Sequence, residues 1–284
     1  MKEPKTASEG PRKLHILGIA AAAILLTGTF AYLRFPYDRL AASLSSRLTA
    51  LGLGVEIGSM SPAVSLAGPG LAARDVRIHR SDGSLFKIDQ VRIRPAWSFA
   101  WLMLRPALHL ELETPLGQLE GVAVLRGPQR FTGEIREVDL KELIGSQQLA
   151  GASLEGKATF DVDVALEEGG PTGPVKIHAK DGVLAHPQLP VAIQYEELNG
   201  DLEFGGESML EIASFELKSP MGTGSLKGKV GHAPDPSQAP LDLELAVQVA
   251  QGVRGSLTSQ GVRVGRDGEL HYKISGTAAT PVIR

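Results

Sequence analysis

The chain has 284 residues, with 29 lysines and arginines against 32 aspartates and glutamates, a formal charge of −3, and no cysteine. The slight acidic excess argues against a nucleic-acid binder, which needs basic charge to meet phosphates. The missing cysteines remove disulfides, thiolate metal sites and cysteine nucleophiles together. Aromatics make up only 5%, while 33 glycines and 18 prolines suit many strands joined by turns.

Residues 1–13, MKEPKTASEGPRK, are polar and read as a disordered tail. Residues 14–33, LHILGIAAAAILLTGTFAYL, carry no charge, and twenty helical residues span roughly 30 Å, the thickness of a bilayer's hydrocarbon core. No polar face interrupts the run, so it reads as a membrane anchor held by Leu14, Ile16, Leu17, Ile19, Ile24, Leu25, Leu26, Phe30 and Leu33. The alternative is a cleaved signal peptide. Its apolar core would be about 7–15 residues long and end in small residues, whereas Phe30-Ala31-Tyr32-Leu33 is bulky. Basic residues flank the run almost evenly: Lys2, Lys5, Arg12 and Lys13 before it, Arg34, Arg39 and Arg47 after it. Orientation therefore rests on layout. A short tail before the anchor and a large domain after it favour a cytoplasmic tail and an external domain.

Residues 34–52 follow as an amphipathic helix, with Pro36 in its first turn and Leu40, Leu44, Leu48 and Leu51 at helical spacing. Two readings stay open for that stripe: it lies in the membrane interface, or it caps the domain that follows. From residue 53 to 284 the period falls to two. Phe160-Asp-Val-Asp-Val-Ala-Leu166 alternates cleanly, and so do Leu108–Leu112, Val175–Ile177, Leu241–Val247 and Leu270–Ile274. Further strands fit 71–80, 84–94, 118–126, 130–136, 182–196, 198–206, 209–218 and 222–231. The turn signals between strands are Ser81-Asp-Gly83, Gly127-Pro128, Gly169-Gly-Pro171, Asp181-Gly182, Asn199-Gly200, Gly205-Gly206 and Asp267-Gly268. A phase break at Asp89-Gln90 predicts a bulge. Short helices fit Ala96–Leu104, with Trp97 and Trp101 one turn apart, and Val138–Ile144; residues 232–240 read as a loop. Ser153-Leu-Glu-Gly-Lys157 recurs as Ser225-Leu-Lys-Gly-Lys229, a sign of a repeated strand unit.

The expected fold is therefore mainly β: an anchor and an amphipathic helix, then an elongated antiparallel sheet with a few short helices. Its dry face must be hidden. A two-layer sandwich would hide it. So would a single sheet curled on itself, leaving an apolar groove lined by Phe160, Val162, Val164, Leu241, Leu243 and Leu245.

Chemistry is sparse. Gly151-Ala-Ser-Leu-Glu-Gly-Lys157 has the spacing of a phosphate loop, but Ala158 replaces the magnesium-binding hydroxyl and a strand pattern follows. Gly222–Gly228 resembles a dinucleotide fingerprint only loosely. The histidines at 15, 79, 109, 178, 186, 232 and 271 show no metal-ligand spacing, and His109, His178 and His271 fall on the wet side of their strands. Asp161 and Asp163 share a face without the remaining ligands of a calcium loop. No catalytic, cofactor or metal residue is assigned, and enzyme activity is not expected.

One anchor, then Phe35-Pro36-Tyr37 within FPYDRL, the strand motifs of Gly156 and Gly228, and Gly276-Thr277 with Pro281 in the ending ISGTAATP together resemble the type II secretion system protein N family. The ending is also similar to the AsmA-like group of anchored periplasmic proteins. The first resemblance implies a single-pass inner-membrane protein with a periplasmic domain, a non-catalytic structural or assembly component that contacts secretion-system subunits. The second implies a carrier or scaffold for lipid transport and outer-membrane maintenance, meeting acyl chains. Neither implies catalytic residues or cofactors.

Overall fold

The computed structural model describes residues 10–50, 54–65, 68–79, 85–96, 106–145, 153–167, 170–185, 192–206, 208–259, 265 and 267–284. The described chain is mainly β and falls into two compact units, Met1–Phe86 and Lys87–Arg284. The expected helix at Ala96–Leu104, with both tryptophans, and the turn at Ser81–Gly83 lie outside the described residues.

In the first unit, helix α1 runs from Gly10 to Arg34 and α2 from Tyr37 to Ala50. Pro36 cannot donate to a preceding turn, so the chain breaks there. The next helix restarts on carbonyls just before it: Tyr37 N–H donates to Phe35 O at 2.9 Å, and Leu40 N–H to Pro36 O at 3.3 Å. From Gly18 on, α1 meets α2 at a bend of 61°. Strands β1 (Gly54–Ser65) and β2 (Gly68–His79) form an antiparallel hairpin. The buried Tyr37 and Ala41, with the half-buried Leu40, Leu44 and Leu48, make one stripe of α2, and Ser45 Oγ on its margin accepts from Ile57 N–H of β1 at 3.0 Å. Of the two readings of that stripe, the capping one describes this contact.

Tyr32, near the end of α1, fixes the helix to the hairpin. Its hydroxyl accepts from the backbone N–H groups of Ala63 (3.1 Å) and Gly70 (3.2 Å), a cross-strand pair, and donates to their carbonyl side, 2.9 Å from Ala63 O. Tyr37 Oη in turn donates to Tyr32 O at 2.5 Å, and the Tyr32, Phe35 and Tyr37 rings meet edge to face. Burial, and secondarily the neighbouring Tyr32, raises the Tyr37 phenol above its ordinary pKa.

The second unit contains β3 from Lys87 (the whole strand is Leu85–Pro95), β4 (Ala107–Thr114), β5 (Gly117–Val124), β6 (Gln129–Asp139), a short α3 (Leu140–Gly145), β7 (Ser153–Glu167) and β8 (Gly170–Ala185). It continues with β9 (Ile193–Phe204), β10 (Leu210–Ser219), β11 (Gly222–Val230), β12 (Pro240–Val249), α4 (Gln251–Ser259), β13 (Glu269–Thr277) and β14 (Pro281–Ile283). Each strand pairs antiparallel with the next in chain order, from β3 to β14.

Three expectations need correction. The sheet is open and uncurled: curling to closure would bring the outer strands together, whereas β14 is three residues long and pairs only with β13. No second sheet packs against it among the described residues, so a sandwich is not formed either; next-neighbour hairpins keep adding strands to one layer. Asp181-Gly182 and Asn199-Gly200 are not turns. The first pair lies in a bulge within β8, and the second lies in the middle of β9.

The bulge pairs a β7 residue with positive φ, Gly156 at 132°, against Asp181 at 51°. The recurring motif shares the positive φ, 137° at Gly228, which pairs in register with Ile212 and Leu243. Left-handed backbone at such values favours glycine. A second bulge, in β10 between Ile212 and Phe215, keeps both of those side chains on one face despite their odd spacing.

Candidate functional site

The registers assemble one apolar face from single residues. Through Val162 runs a cross-strand row of Ile93, Leu110, Gly121, Gly133, Val162, Val175, Leu202, Ile212, Gly228, Leu243 and Ile274. Two residues along, Phe160, Ile177, Gly200, Phe215, Leu226, Leu245 and Tyr272 form the next row. A third contains Ala158, Ala179, Leu198, Leu217, Gly224, Val247 and Leu270. On the other side of the Val162 row, Phe204, Leu210, Val230 and Leu241 form a fourth, at the end of β7 where Val164 lies.

The six residues predicted for an apolar groove therefore share this face, although β7 and β12 stand five strands apart. Val162 and Leu243 belong to one row, Phe160 and Leu245 to another. All are half-buried except the buried Leu243. They line an open face; four concavities lie on the opposite, charged side.

Three glycines in these rows, Gly121, Gly133 and Gly200, lie under aromatic rings. The Phe131 ring lies over Gly121 and Gly133, where an added Cβ would stand 2.6 and 2.8 Å from Cζ. Phe215 covers Gly200 in the same way. Tyr195, 2% exposed, covers Gly156 and Gly182, and its hydroxyl donates to Glu155 O at 2.8 Å. Burial raises the Tyr195 phenol. Leu140 of α3 rests on Ala158, Ala179 and Leu198, closing that end of the face and forming the best-buried part of the unit.

The other face is a charged ladder. Over β8–β13 the signs alternate across strands: Lys180, Glu197 and Lys218; Lys227, Glu244 and Lys273; Glu211, Lys229 and Asp242. Asp163 takes both nitrogens of Arg130, at 2.6 and 2.5 Å, and the Thr132 hydroxyl at 2.9 Å. Those hydrogen bonds, Arg130's foremost, hold its carboxyl below the usual range against the opposing effect of desolvation. Arg136 does the same to Glu134. His178 and His271 are exposed on this side, as expected. His109 is not: it is on the charged face, yet its side chain is only 12% exposed and sits beside Glu111 and Glu120. Sequence spacing missed this grouping because Glu120 arrives from the neighbouring strand, opposite Glu111; the visible part was the pair His109-Leu-Glu111.

The anchor residues Ile19, Ile24, Leu25, Leu26, Phe30 and Leu33 are 55–75% exposed. The side chains of Leu14, Ile16 and Leu17 lie outside the described residues. Among the described residues no single helix is long and apolar enough to cross a membrane; Gly18–Arg34 and Tyr37–Ala50 meet length and composition only as a bent pair. Ser153–Lys157 of the phosphate-loop lookalike and Gly222–Gly228 both lie in strands. No protein-family model matches the chain, nor does any curated protein or solved structure.

Proposed function

We propose that the protein is a membrane-tethered, non-catalytic carrier or scaffold whose open apolar face receives the acyl chains of lipids. One observation carries this reading: apolar rows continue across the strands of the second unit with no second layer over them among the described residues. Adjacent strands lie about 4.8 Å apart and rows about 7 Å apart, so parallel extended chains can lie along such a surface. The tether is the apolar run Leu14–Leu33, whose large apolar side chains from Ile19 to Leu33 are exposed among the described residues. A bilayer is then the nearest source of apolar ligand. The similarity to AsmA-like proteins points the same way, with the domain in the periplasm and the anchor in the inner membrane.

A second reading, a structural component of the type II secretion system acting through protein contacts, rests on the FPYDRL and ISGTAATP resemblance. It is also favoured by the exposed Val282 and Ile283 on the terminal strand β14.

The test is mass spectrometry of lipids retained by the full chain purified in mild detergent, repeated with Val162→Asp and Leu245→Lys. Lipid at stoichiometric levels, lost in both variants and kept in Asp161→Asn on the opposite face, is the expected result. Retention of no lipid, with a secretion-system subunit recovered instead, would replace the carrier by the second reading.

A further inference from the structure

The charged face is uneven. Over β8–β13 acids mostly oppose bases, with Glu203 facing Glu211 as an exception, but across β4–β7 one row reads Glu111, Glu120, Glu134 and Asp161, four acids on four successive strands. Like charges directly opposite are destabilising, so such a row calls for added positive charge. Arginines supply part of it: Arg92 stands 3.5 Å from Glu111 Oε2, and Arg136 3.7 Å from Glu120 Oε2. Both contacts use Oε2. Glu111 Oε1 and Glu120 Oε1 stand 3.3 and 3.5 Å from His109 Nε2, and Arg94 Nε approaches Glu111 Oε1 to 3.8 Å.

That nitrogen is fully shielded from solvent, and neither contact has hydrogen-bond geometry, so it has no partner. The spacing has another meaning. Two ligands about 2.1 Å from one ion at a tetrahedral angle stand roughly 3.4 Å apart. All three atoms lie within 4.8 Å of one another, and His109 and Glu120 line a concavity of about 570 Å³ that leaves room for a water ligand. Each glutamate would then give one oxygen to the metal and the other to an arginine, the usual support for a metal-binding carboxylate.

We propose that His109, Glu111 and Glu120 form a binding site for a divalent transition-metal ion of the zinc type, with a fourth position open to water. One imidazole and two carboxylates suit such an ion better than magnesium or calcium, which prefer oxygen alone. The site lies on the charged face and does not depend on what covers the apolar one.

The experiment titrates zinc chloride into the full chain, tag removed and chelator-stripped, in detergent at neutral pH, by calorimetry with magnesium chloride as control. X-ray absorption of the loaded protein reports the ligand shell. The expected result is one zinc per chain, nitrogen and oxygen neighbours at about 2.0–2.1 Å, and little magnesium binding. Both His109→Ala and His109→Gln should weaken zinc by more than about a hundredfold, beyond the usual effect of losing a supporting residue, with unchanged circular dichroism. Asp163→Asn, outside the group, should bind as the parent does. The proposal is overturned if the parent takes up no zinc, if both His109 variants bind as well as the parent, or if magnesium competes equally.

Discussion

Gly182→Ala tests the bulge on which the second unit's packing turns. A Cβ at Gly182 would stand 2.1 Å from Glu155 O and 2.2 Å from both Cζ and Oη of Tyr195. Neither neighbour can yield cheaply. Glu155 O is backbone in the strand across the bulge, and Tyr195 is 2% exposed with its hydroxyl bonded to that carbonyl. Relief requires breaking the 2.8 Å hydrogen bond, at about 1 kcal/mol net, and shifting a buried ring, at about 1–3 kcal/mol. The sum is roughly 2–4 kcal/mol. For a unit of this size that lowers the melting temperature by about 4–16 °C, at roughly 2–4 °C per kcal/mol. The internal control is Gly224→Ala on the same face, where the nearest atom to an added Cβ is Leu217 Cβ at 4.0 Å. There the methyl meets little, and alanine should stabilise by about 0.4–1 kcal/mol through the unfolded chain. Thermal denaturation of both variants in detergent, followed by circular dichroism, measures the contrast. Tyr195→Ala combined with Gly182→Ala should cost less than the two separate costs added together, because the ring is one of the obstacles. If Gly182→Ala and Gly224→Ala shift the transition alike, the claim that Tyr195 occupies the space over the bulge is refuted.

Tyr32→Phe removes the hydroxyl that serves Ala63 and Gly70, and amide exchange at those two residues should quicken in step with a loss of about 1–3 kcal/mol in the first unit. Unchanged protection there would mean that the hydroxyl holds nothing. Asp163, with its carboxyl depressed in the folded state by Arg130, contributes stability that is present above the ordinary carboxylate pKa of about 3.9 and is lost as pH falls through the folded value. Melting temperatures should therefore fall below about pH 4, less steeply in Asp163→Asn, and the difference should shrink in high salt because the pair is partly exposed. An acid limb identical in the two proteins would contradict the assignment.

The alternation of period two was legible because it needs no knowledge of partners. Asp161 and Asp163 against Phe160, Val162 and Val164 separate the faces of β7 within the strand itself. Since antiparallel pairing preserves that parity, residues chosen independently on β7 and β12 fall into common rows. Glycine pairs misled where glycine serves another purpose. Asn199-Gly200 has turn chemistry, but Gly200 is where the Phe215 ring from β10 comes close, and only the pairing reveals that. Helix α4 gave a weak signal, because QGVRGSLTS contains two glycines and only Val253 and Leu257 as large apolar residues. The His109 group was hidden for the opposite reason: two of its members are two residues apart on one strand, but the third depends on the β4–β5 register.

The two readings of function differ in where a partner would meet the sheet. Strand addition by a protein needs a free edge with donors and acceptors in line. The β14 edge presents Pro281, Val282 and Ile283, and Pro281 has no N–H to give. A short edge that begins with proline is a poor template for pairing, so Val282 and Ile283 invite contact through side chains at most. The broad face offers more. Four rows of residues at about 7 Å, the longest crossing eleven strands at about 4.8 Å, make a surface on the order of 1,000 Å², beyond the few hundred Å² that a soluble monomer usually leaves bare. At the β7–β9 end Leu140 covers part of the face. Aromatic rings on this face lie across glycines and fill their gaps, which leaves shallow relief better matched to flexible chains than to an interlocking protein surface. A ligand that needs area and no fixed hydrogen bonds is an acyl chain, and this is why the carrier reading ranks above the secretion-component reading.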